Sequence, residues 1–385
     1  MDQLKDHLFI VFCEDHYNPL GIVRSLGEAG IRPVVILVAK RPIMINHSRY
    51  VGKLHHVHSL DEGYRILLSV YGNEPLKPFL YSSDDGLASL LDLHYDELKD
   101  HFYFFHGHEK GIVTYYMDKE HICNLAVECG AQIAKTEMVT PGTLPKEVGY
   151  PLITKAIIST LGGWKKDSFI CRNEEELKEA YQHIRSKRLL LQEYIEKKNE
   201  LCLDGFSFNN GEEVIIPYYS NYIRFPRNGY GPYMVLRPFK DERVMGWVKA
   251  ILRKVGFTGI FSVEFLIDKN DQLYFLEVNF RNSTWSYAYT CGGYNMPVLW
   301  AKATLGGAKL DLSHIKPFEE FTAMVEPADY DENVVKSKKV GLIQWLKEVK
   351  KAKCYYYNRH DQRPFWYYLG VRIFRPIVKK LRLFG

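Results

Sequence analysis

Two runs of β-forming residues flank Asn270 and Asp271, a pair that favours a turn. A two-residue loop at this pair places Glu264 directly opposite Glu277 on the neighbouring strand. Asn279 shares their face, because strand side chains repeat every second residue. Opposed carboxylates repel each other unless a cation lies between them. Mg²⁺ prefers such oxygen ligands. On its own the pattern favours the simpler interpretation, a solvated acidic hairpin, and the phosphate-binding signals elsewhere in the chain shift the preference to a metal site.

A lysine and a glycine-containing segment could together bind phosphate. Lys155 lies alone in an apolar predicted strand, where a lysine is usually an edge residue. The segment 159–166 follows, and it contains Ser159, Gly162, Gly163 and two lysines. Small residues let backbone N–H groups approach an anion, and lysines supply the charge. Combined with the acidic hairpin, this favours a phosphate site.

Residues 192–195, which read Gln-Glu-Tyr-Ile, end a buried predicted strand, and Glu200 follows them. The free backbone groups of a strand end could hold the edge of an adenine ring, and Glu200 could accept hydrogen bonds from ribose hydroxyls. A strand that runs into a charged loop explains the same residues equally well.

Three arginines lie in an aromatic segment, and a fourth follows the hairpin. Arg281 comes two residues after Asn279, so it points to the same face and forms either a salt bridge or a clamp on a transferring phosphoryl group. The hairpin favours the clamp. Arg224, Arg227 and Arg237 either shape a site for an acidic substrate or lie on the surface of a long β connection.

The elements that must position these residues fall into two patterns. The first 110 residues alternate strand and helix signals, which predicts a parallel sheet with helices on both faces. No G-x-G-x-x-G follows the first strand, so a dinucleotide site there is not expected. From about residue 150, strands separated by loops replace this alternation.

Composition limits the class of protein. The 385 residues are 46% hydrophobic and 25% charged, as in ordinary globular proteins. The seven cysteines form no C-x-x-C pair, which predicts a reducing compartment and no structural zinc site. The first residues lack the pattern of a signal peptide, so a cytoplasmic location is expected.

The C-terminal residues carry most of the positive charge. Residues 331–385 contain 14 Lys and Arg against 4 Asp and Glu. Aromatic and basic residues alternate over 339–385, which suits either an amphipathic element on the inner face of an anionic membrane or a helix that packs on the body. Both interpretations stay open, and nucleic acid is not expected as a partner.

The order of these residues resembles the ATP-grasp superfamily over roughly residues 1–310. The Glu-Val-Asn-x-Arg sequence at 277–281 is its most specific part. The N-terminal stretch around Arg24 and Ser48 is similar to the substrate-side domain of the carboxylate–amine ligase branch, to which D-aspartate ligase and related carboligases belong.

The resemblance implies a role for each candidate residue. Magnesium, as two ions with Mn²⁺ as the alternative, is held by Glu264, Glu277 and Asn279. Catalytic roles fall to Lys155 and Arg281. ATP is bound by Lys119, Lys155, Ser159, Gly162, Gly163, Gln192, Glu193, Tyr194, Ile195 and Glu200.

The resemblance also implies an α/β architecture in three parts. A Rossmann-like parallel-sheet domain covers 1–115, two α+β ATP-grasp subdomains cover 116–312, and a basic, aromatic-rich extension covers 313–385. The implied activity is an ATP-dependent carboxylate–amine ligase that forms an acyl phosphate from a small-molecule acid and transfers it to an amine. The alternative is a catalytically silent nucleotide-binding regulator or a scaffold at the membrane surface. A homodimer stays open.

Overall fold

The N-terminal part of the chain is built on a four-stranded parallel sheet in the order β3-β2-β1-β4. The computed structural model describes residues 4–156, 167–225, 231–306, 310–316 and 318–381. The strands are β1 (Phe9–Glu14), β2 (Val34–Val38), β3 (Lys53–Val57) and β4 (Phe79–Tyr81). The helices are α1 (Tyr17–Glu28), a 3₁₀ turn (Ile45–His47), α2 (Leu60–Tyr71), α3 (Asp85–Leu93), α4 (Tyr95–Leu98) and α5 (Ile112–Tyr116).

Helices cover both faces of this sheet, as the alternating pattern predicts. Phe9 and Val11 of β1 pack in one apolar cluster with residues of α1. Ile10 and Phe12 point the other way, into a second cluster formed with α2 and α3. Burial on both faces explains why the sequence of β1 is continuously apolar.

A small antiparallel sheet follows, in the order β5-β8-β6-β7. Helix α6 (Lys119–Glu128) leads into it, and helix α7 (Glu174–His183) contributes to its apolar core. The strands are β5 (Thr136–Val139), β6 (Leu152–Ala156), β7 (Ile170–Cys171) and β8 (Leu189–Glu193).

The second half forms a seven-stranded sheet in the order β13-β12-β9-β10-β11-β14-β15. Its strands are β9 (Lys197–Phe208), β10 (Glu213–Tyr222), β11 (Tyr233–Pro238), β12 (Gly259–Asp268), β13 (Leu273–Asn279), β14 (Phe321–Met324) and β15 (Lys353–Cys354). The remaining helices are α8 (Glu242–Val255), α9 (Ser286–Cys291), α10 (Met296–Gly306), α11 (Glu326–Asp329), a π-helix (Tyr330–Lys336), α12 (Leu342–Lys351) and α13 (Arg363–Leu381).

Part of the basic C-terminal segment belongs to the folded body. Strand β15 pairs with β14, and Asp361 is buried next to it. The guanidinium of Arg24, 0% exposed, donates to Asp361 Oδ2 at 3.0 Å and to the Tyr355 carbonyl oxygen at 2.6 Å. Ser48 donates to the same carboxylate at 2.8 Å. The N-terminal residues that carry the family resemblance therefore anchor the C-terminal segment.

The parallel sheet, the small antiparallel sheet and the large sheet, which is antiparallel except for the β14–β15 pair, confirm the predicted α/β fold class. The domain limits at residues 115 and 312 stay predictions. Among the helices of the described residues, none is both long enough and apolar enough to cross a membrane.

Candidate functional site

The predicted acidic hairpin is formed by β12 and β13. Glu264 lies opposite Glu277, and Ser262 lies opposite Asn279, as the sequence predicts. Asn279 Nδ2 donates to Ser262 Oγ at 3.2 Å and lies 3.5 Å from Glu264 Oε1. The two carboxylates and the amide therefore share one face of the large sheet.

The turn of this hairpin differs from the prediction, and a two-residue loop is wrong. The Asp268 N–H donates to the Gln272 carbonyl at 3.1 Å, so the loop contains three residues, and Asp271 adopts a φ of 63° within it. Leu276 then forms a bulge in β13 beside Glu277. The longer loop and the bulge shift the register by one residue in opposite directions, so the two carboxylates still face each other.

A lysine neutralises one of the two carboxylates. Lys119, the first residue of α6, donates from Nζ to Glu277 Oε2 at 2.8 Å. Burial acts to raise the pKa of Glu277, but the Lys119 ammonium outweighs it and holds that pKa below its usual value. Burial, and then the charge of Glu277, raise the pKa of Glu264 well above its usual value. A further cation at this face would stabilise the ionised form of both carboxyls.

A second lysine approaches from the small sheet. Lys155 on β6 donates from Nζ to Gln192 Oε1 at 2.6 Å, and Gln192 is buried. Burial and then the charge of Lys119 lower the pKa of Lys155 to about 8. The ammonium groups of Lys119 and Lys155 repel each other, and a polyanion bound between them would stabilise both charges.

The predicted adenine hinge keeps little free backbone. The Glu193 N–H donates to the Lys135 carbonyl at 2.8 Å, and the Tyr194 N–H donates to the Pro151 carbonyl at 3.0 Å. These bonds fix the path of the chain after β8. They leave the N–H group of Ile195 as the candidate contact for an adenine edge.

Glu200 lies on the same face as the acidic hairpin. It faces Leu266, two residues from the pair Cys202 and Glu264, on strands β9 and β12. Its Oε1 accepts from Lys197 Nζ at 2.6 Å. The predicted phosphate loop at 159–166, with Ser159, Gly162 and Gly163, lies outside the described residues.

Arg281 forms the salt bridge that its position allowed. Its Nε donates to Asp85 Oδ1 at 2.5 Å, and its Nη2 donates to Asn279 Oδ1 at 3.1 Å. Asp85 is the first residue of α3. The guanidinium therefore forms a salt bridge to α3 and also orients the amide of Asn279 on the hairpin face. Its role as a clamp on a phosphoryl group stays a prediction.

The two arginines of the aromatic segment that the structure describes, Arg224 and Arg237, do not converge on an acid site. Arg224 pairs with Asp329 at 2.6 Å and with Glu348 at 2.5 Å, and Arg237 pairs with Glu320 at 2.7 Å. These contacts fit a β connection with paired arginines. Arg227 lies outside the described residues.

The hairpin face fits a hard divalent cation. Glu264, Glu277 and Asn279 offer two opposed carboxylates and an amide, which are oxygen ligands that Mg²⁺ accepts together with phosphate oxygens. No cluster of three or more His, Cys, Asp or Glu suited to a metal occurs among the described residues. A site made from this hairpin would therefore depend on phosphate and water to complete the coordination.

Asp204 is a site residue that the sequence reasoning missed. It lies on β9, opposite Ser262, and its side chain is directed to the same face as Glu264. A lone Asp in the otherwise apolar run LCLDGFSF was the available signal, because a carboxylate is rarely buried without a partner.

The comparison with protein families identifies this architecture. Residues 118–312 match the family model described as the carbamoyl-phosphate synthase L chain, ATP binding domain. This match covers just over half of the chain. The chain belongs to this ATP-grasp family.

Curated relatives of the ATP-grasp chain match over a limited length. N5-carboxyaminoimidazole ribonucleotide synthase of Staphylococcus epidermidis is 29% identical over 138 residues, which is 34% of this chain and 35% of the relative. The 2-oxoglutarate carboxylase small subunit of Hydrogenobacter thermophilus is 29% identical over 150 residues, or 36% and 31% of the two chains. The matched region thus spans about a third of these relatives.

Solved structures share the fold over most of the chain. N5-carboxyaminoimidazole synthetase from Staphylococcus aureus complexed with ADP has a TM-score of 0.65 at 16% identity, covering 86% of this chain and 85% of that one. L-amino acid ligase from Bacillus licheniformis has a TM-score of 0.64 at 13% identity, covering 83% and 80%. These likenesses confirm the ATP-grasp fold that the residue pattern predicts.

Proposed function

We propose that this ATP-grasp chain is an ADP-forming ligase that joins a small-molecule carboxylate to an amine. The opposed pair Glu264 and Glu277 beside Lys119 carries the proposal. Two ionised carboxylates that face each other destabilise the folded chain unless a cation, together with its anionic ligand, binds to them and offsets their repulsion. Structural neighbours named as a ligase and as a synthetase, the second solved with ADP, support the same activity.

In the proposal, ATP lies between the small and the large sheet. Lys155 and Lys119 contact its phosphates, the Ile195 N–H contacts the adenine edge, and Glu200 accepts from the ribose. The reduced pKa of Lys155 supports this placement, because burial and Lys119 disfavour its charge until an anion arrives.

Glu264, Glu277 and Asn279 would hold Mg²⁺, as two ions or with Mn²⁺ in their place. The metal would supply charge that offsets the repulsion between a carboxylate substrate and the triphosphate. Arg281 lies beside this face, oriented by Asp85, and adds positive charge at the transferring phosphoryl group.

The proposed ligation has two steps, formation of an acyl phosphate and its reaction with an amine. A carboxylate oxygen of the acid attacks the γ-phosphorus, the bond from that phosphorus to the bridging oxygen breaks, and ADP leaves with the electron pair. The resulting acyl phosphate is attacked at carbon by an amine nitrogen. The carbon–oxygen bond to phosphate then breaks, inorganic phosphate leaves, and the nitrogen loses a proton.

ADP release from the full chain, measured over a matrix of carboxylates and amines with Mg²⁺, tests the proposal. We expect at least one acid–amine pair to drive turnover, and Glu277→Gln to reduce it about 100-fold or more, because a ligand and the Lys119 partner are both lost. Asp268→Asn, the same type of change at the hairpin turn, is the matched control and keeps wild-type turnover. ATP bound without turnover for any pair would favour the silent nucleotide-binding alternative.

The partners and the location follow from this proposal. A soluble acid and amine as substrates suit the cytoplasm, as do cysteines that are free throughout the described residues. One structural neighbour is described as a domain dimer, so a homodimer is proposed and molar mass by light scattering tests it.

Contact of residues 339–385 with an anionic membrane stays a separate prediction. Helix α12 exposes Ile343, at 74% of its surface, together with Leu342 and Leu346. Co-sedimentation with phosphatidylserine vesicles should fall in Ile343→Glu if this helix binds them. Equal partitioning of both proteins would leave the tail as a structural element.

A further inference from the structure

A small, partly open cavity adjoins the acidic face of the hairpin. Its volume is about 110 Å³, which suits a small molecule or group rather than a nucleotide. The residues that line it come from β9, β10, β12, β13 and the segment that follows β13. They are Cys202, Asp204, Tyr222, Ser262, Glu264, Asn279, Arg281, Ser283, Thr284 and Trp285.

Three buried polar atoms in this cavity lack a hydrogen-bond partner. They are both carboxylate oxygens of Asp204 and the hydroxyl of Tyr222, and they make up three of the nine such side-chain atoms among the described residues. Asp204 is 1% exposed and Tyr222 is 4% exposed. A buried carboxylate without a partner is costly and is rare in folded proteins, so this concentration in one cavity indicates a ligand that supplies the missing donors.

The neighbours of Asp204 stabilise the negative charge of its carboxylate only in part. Burial raises its pKa to about 7, while the hydroxyls of Ser283 and Tyr289 and the charge of Arg281 offset only part of this effect. Neither hydroxyl forms a regular hydrogen bond with Oδ1 or Oδ2. A group that donates hydrogen bonds and carries positive charge would stabilise the ionised carboxylate.

The charge balance and the walls of the cavity favour a cation. Two carboxyls, Asp204 and Glu264, line it, whereas the guanidinium of Arg281 already binds Asp85 and Asn279. The aromatic rings of Tyr222 and Trp285 form part of its wall, and such rings attract ammonium groups.

We propose that this cavity, which we call the Asp204 pocket, binds the ammonium group of the amine substrate, with Asp204 as its counter-ion. This inference rests on the proposed ligase function, and it adds where the second substrate is recognised. The pocket lies beside Glu264 and Arg281, so an amine held there is next to the site where the acyl phosphate forms. Its volume selects a primary amine with a small substituent, such as the amino group of an amino acid.

Binding of methylammonium to the full-length protein tests the proposal without knowledge of the substrate. We would measure the melting temperature as methylammonium chloride replaces sodium chloride at constant ionic strength, at a pH where Asp204 is ionised. Methylammonium should stabilise the wild type beyond sodium, whereas the bulkier tetramethylammonium should not.

Two variants and one matched control complete the experiment. Asp204→Asn should weaken the apparent methylammonium affinity about ten-fold or more, because a charged hydrogen bond is lost. Tyr222→Phe should weaken it by a smaller factor, and it keeps the test available if Asp204→Asn does not fold. Asp268→Asn, which changes a carboxyl outside the pocket, should respond like the wild type.

Each result decides the proposal. Equal responses of the wild type to methylammonium and sodium, or equal methylammonium affinity in Asp204→Asn and the wild type, would overturn it. A loss of Mg²⁺ stabilisation in Asp204→Asn as large as the loss for methylammonium would also overturn it, since Asp204 would then be a metal ligand. Titration with MgATP tests the proposed ligase function separately from the Asp204 pocket. A pocket that binds methylammonium in a chain without ATP affinity would refute the ligase function but not the pocket.

Discussion

Residues Glu264 and Glu277 show how the same side chain acquires different properties on one sheet face. Lys119 stabilises the charge of Glu277, whereas burial and Glu277 itself disfavour the charge of Glu264. The sequence predicted the shared face from strand periodicity, whereas the pairing, predicted from a two-residue loop, is kept only because the bulge at Leu276 offsets the longer loop. The sequence could not predict the choice of partner, since Lys119 and Glu277 are 158 residues apart in sequence.

Replacement of Asp204 should change how stability depends on pH. Its folded-state pKa is raised to about 7, so the folded protein holds a proton between the ordinary pKa and 7 that the unfolded chain has lost. Wild-type stability therefore falls as the pH rises through this interval, by at most about 4 kcal/mol. Asp204→Asn removes this loss and should be more stable than the wild type at pH 8, measured by urea unfolding at several pH values.

The control for this prediction is Asp268→Asn. In the wild type the Asp268 carboxyl accepts two backbone hydrogen bonds in the hairpin turn. Unfolding of Asp268→Asn should keep the wild-type fall in stability between acidic and neutral pH. An identical pH dependence in Asp204→Asn and the wild type would show that Asp204 is not the uncompensated carboxyl described above.

Lys155 should take up a proton when MgATP binds. Burial and Lys119 hold its pKa at about 8, and phosphate oxygens nearby would raise it. Binding heats measured near pH 8 in buffers of different ionisation enthalpy should reveal this uptake in the wild type. Lys155→Met should show less of it. Binding heats that report the same proton number in both proteins would place the phosphates elsewhere.

At the scale of elements, the hairpin of β12 and β13 shows what local sequence can and cannot predict. Alternating β-forming residues correctly indicated two strands and a shared face. Asp268 captures the N–H groups of Asn270 and Gln272 at 2.8 Å each, and this enlarges the loop beyond the predicted turn. The compensating bulge at Leu276 depends on packing against neighbouring strands, which a single strand sequence does not encode.

The ion pair between Arg24 and Asp361 should fix the C-terminal segment to the body. Both groups are buried, at 0% and 1% exposure, so removal of one partner leaves an uncompensated charge. Asp361→Asn should lower the free energy of unfolding by about 3 kcal/mol in denaturant melts. Glu320→Gln, which breaks the exposed pair with Arg237, should change it by less than about 1 kcal/mol. Equal effects of the two variants would contradict the anchoring role.

At the scale of the whole molecule, elements of three sheets bring the candidate groups close to each other. The small sheet supplies Lys155, the large sheet supplies the acidic hairpin, and α3 of the N-terminal domain holds Arg281 through Asp85. The alternation of strand and helix signals predicted the parallel sheet, and the family resemblance implied the two α+β subdomains. The Asp204 pocket could not be predicted, because its residues come from strands that are distant in sequence and their unmet hydrogen bonds become visible only in the folded structure.

Titration calorimetry with ATP in the presence and absence of Mg²⁺ tests the central claim most directly. We expect wild-type binding to depend on Mg²⁺, and we expect Glu264→Gln and Glu277→Gln each to weaken it about ten-fold or more, because each removes an anionic ligand of the metal. Asp268→Asn should bind like the wild type. Unchanged MgATP affinity in both glutamine variants would show that the opposed carboxylates of this hairpin do not form the metal-binding part of an ATP site.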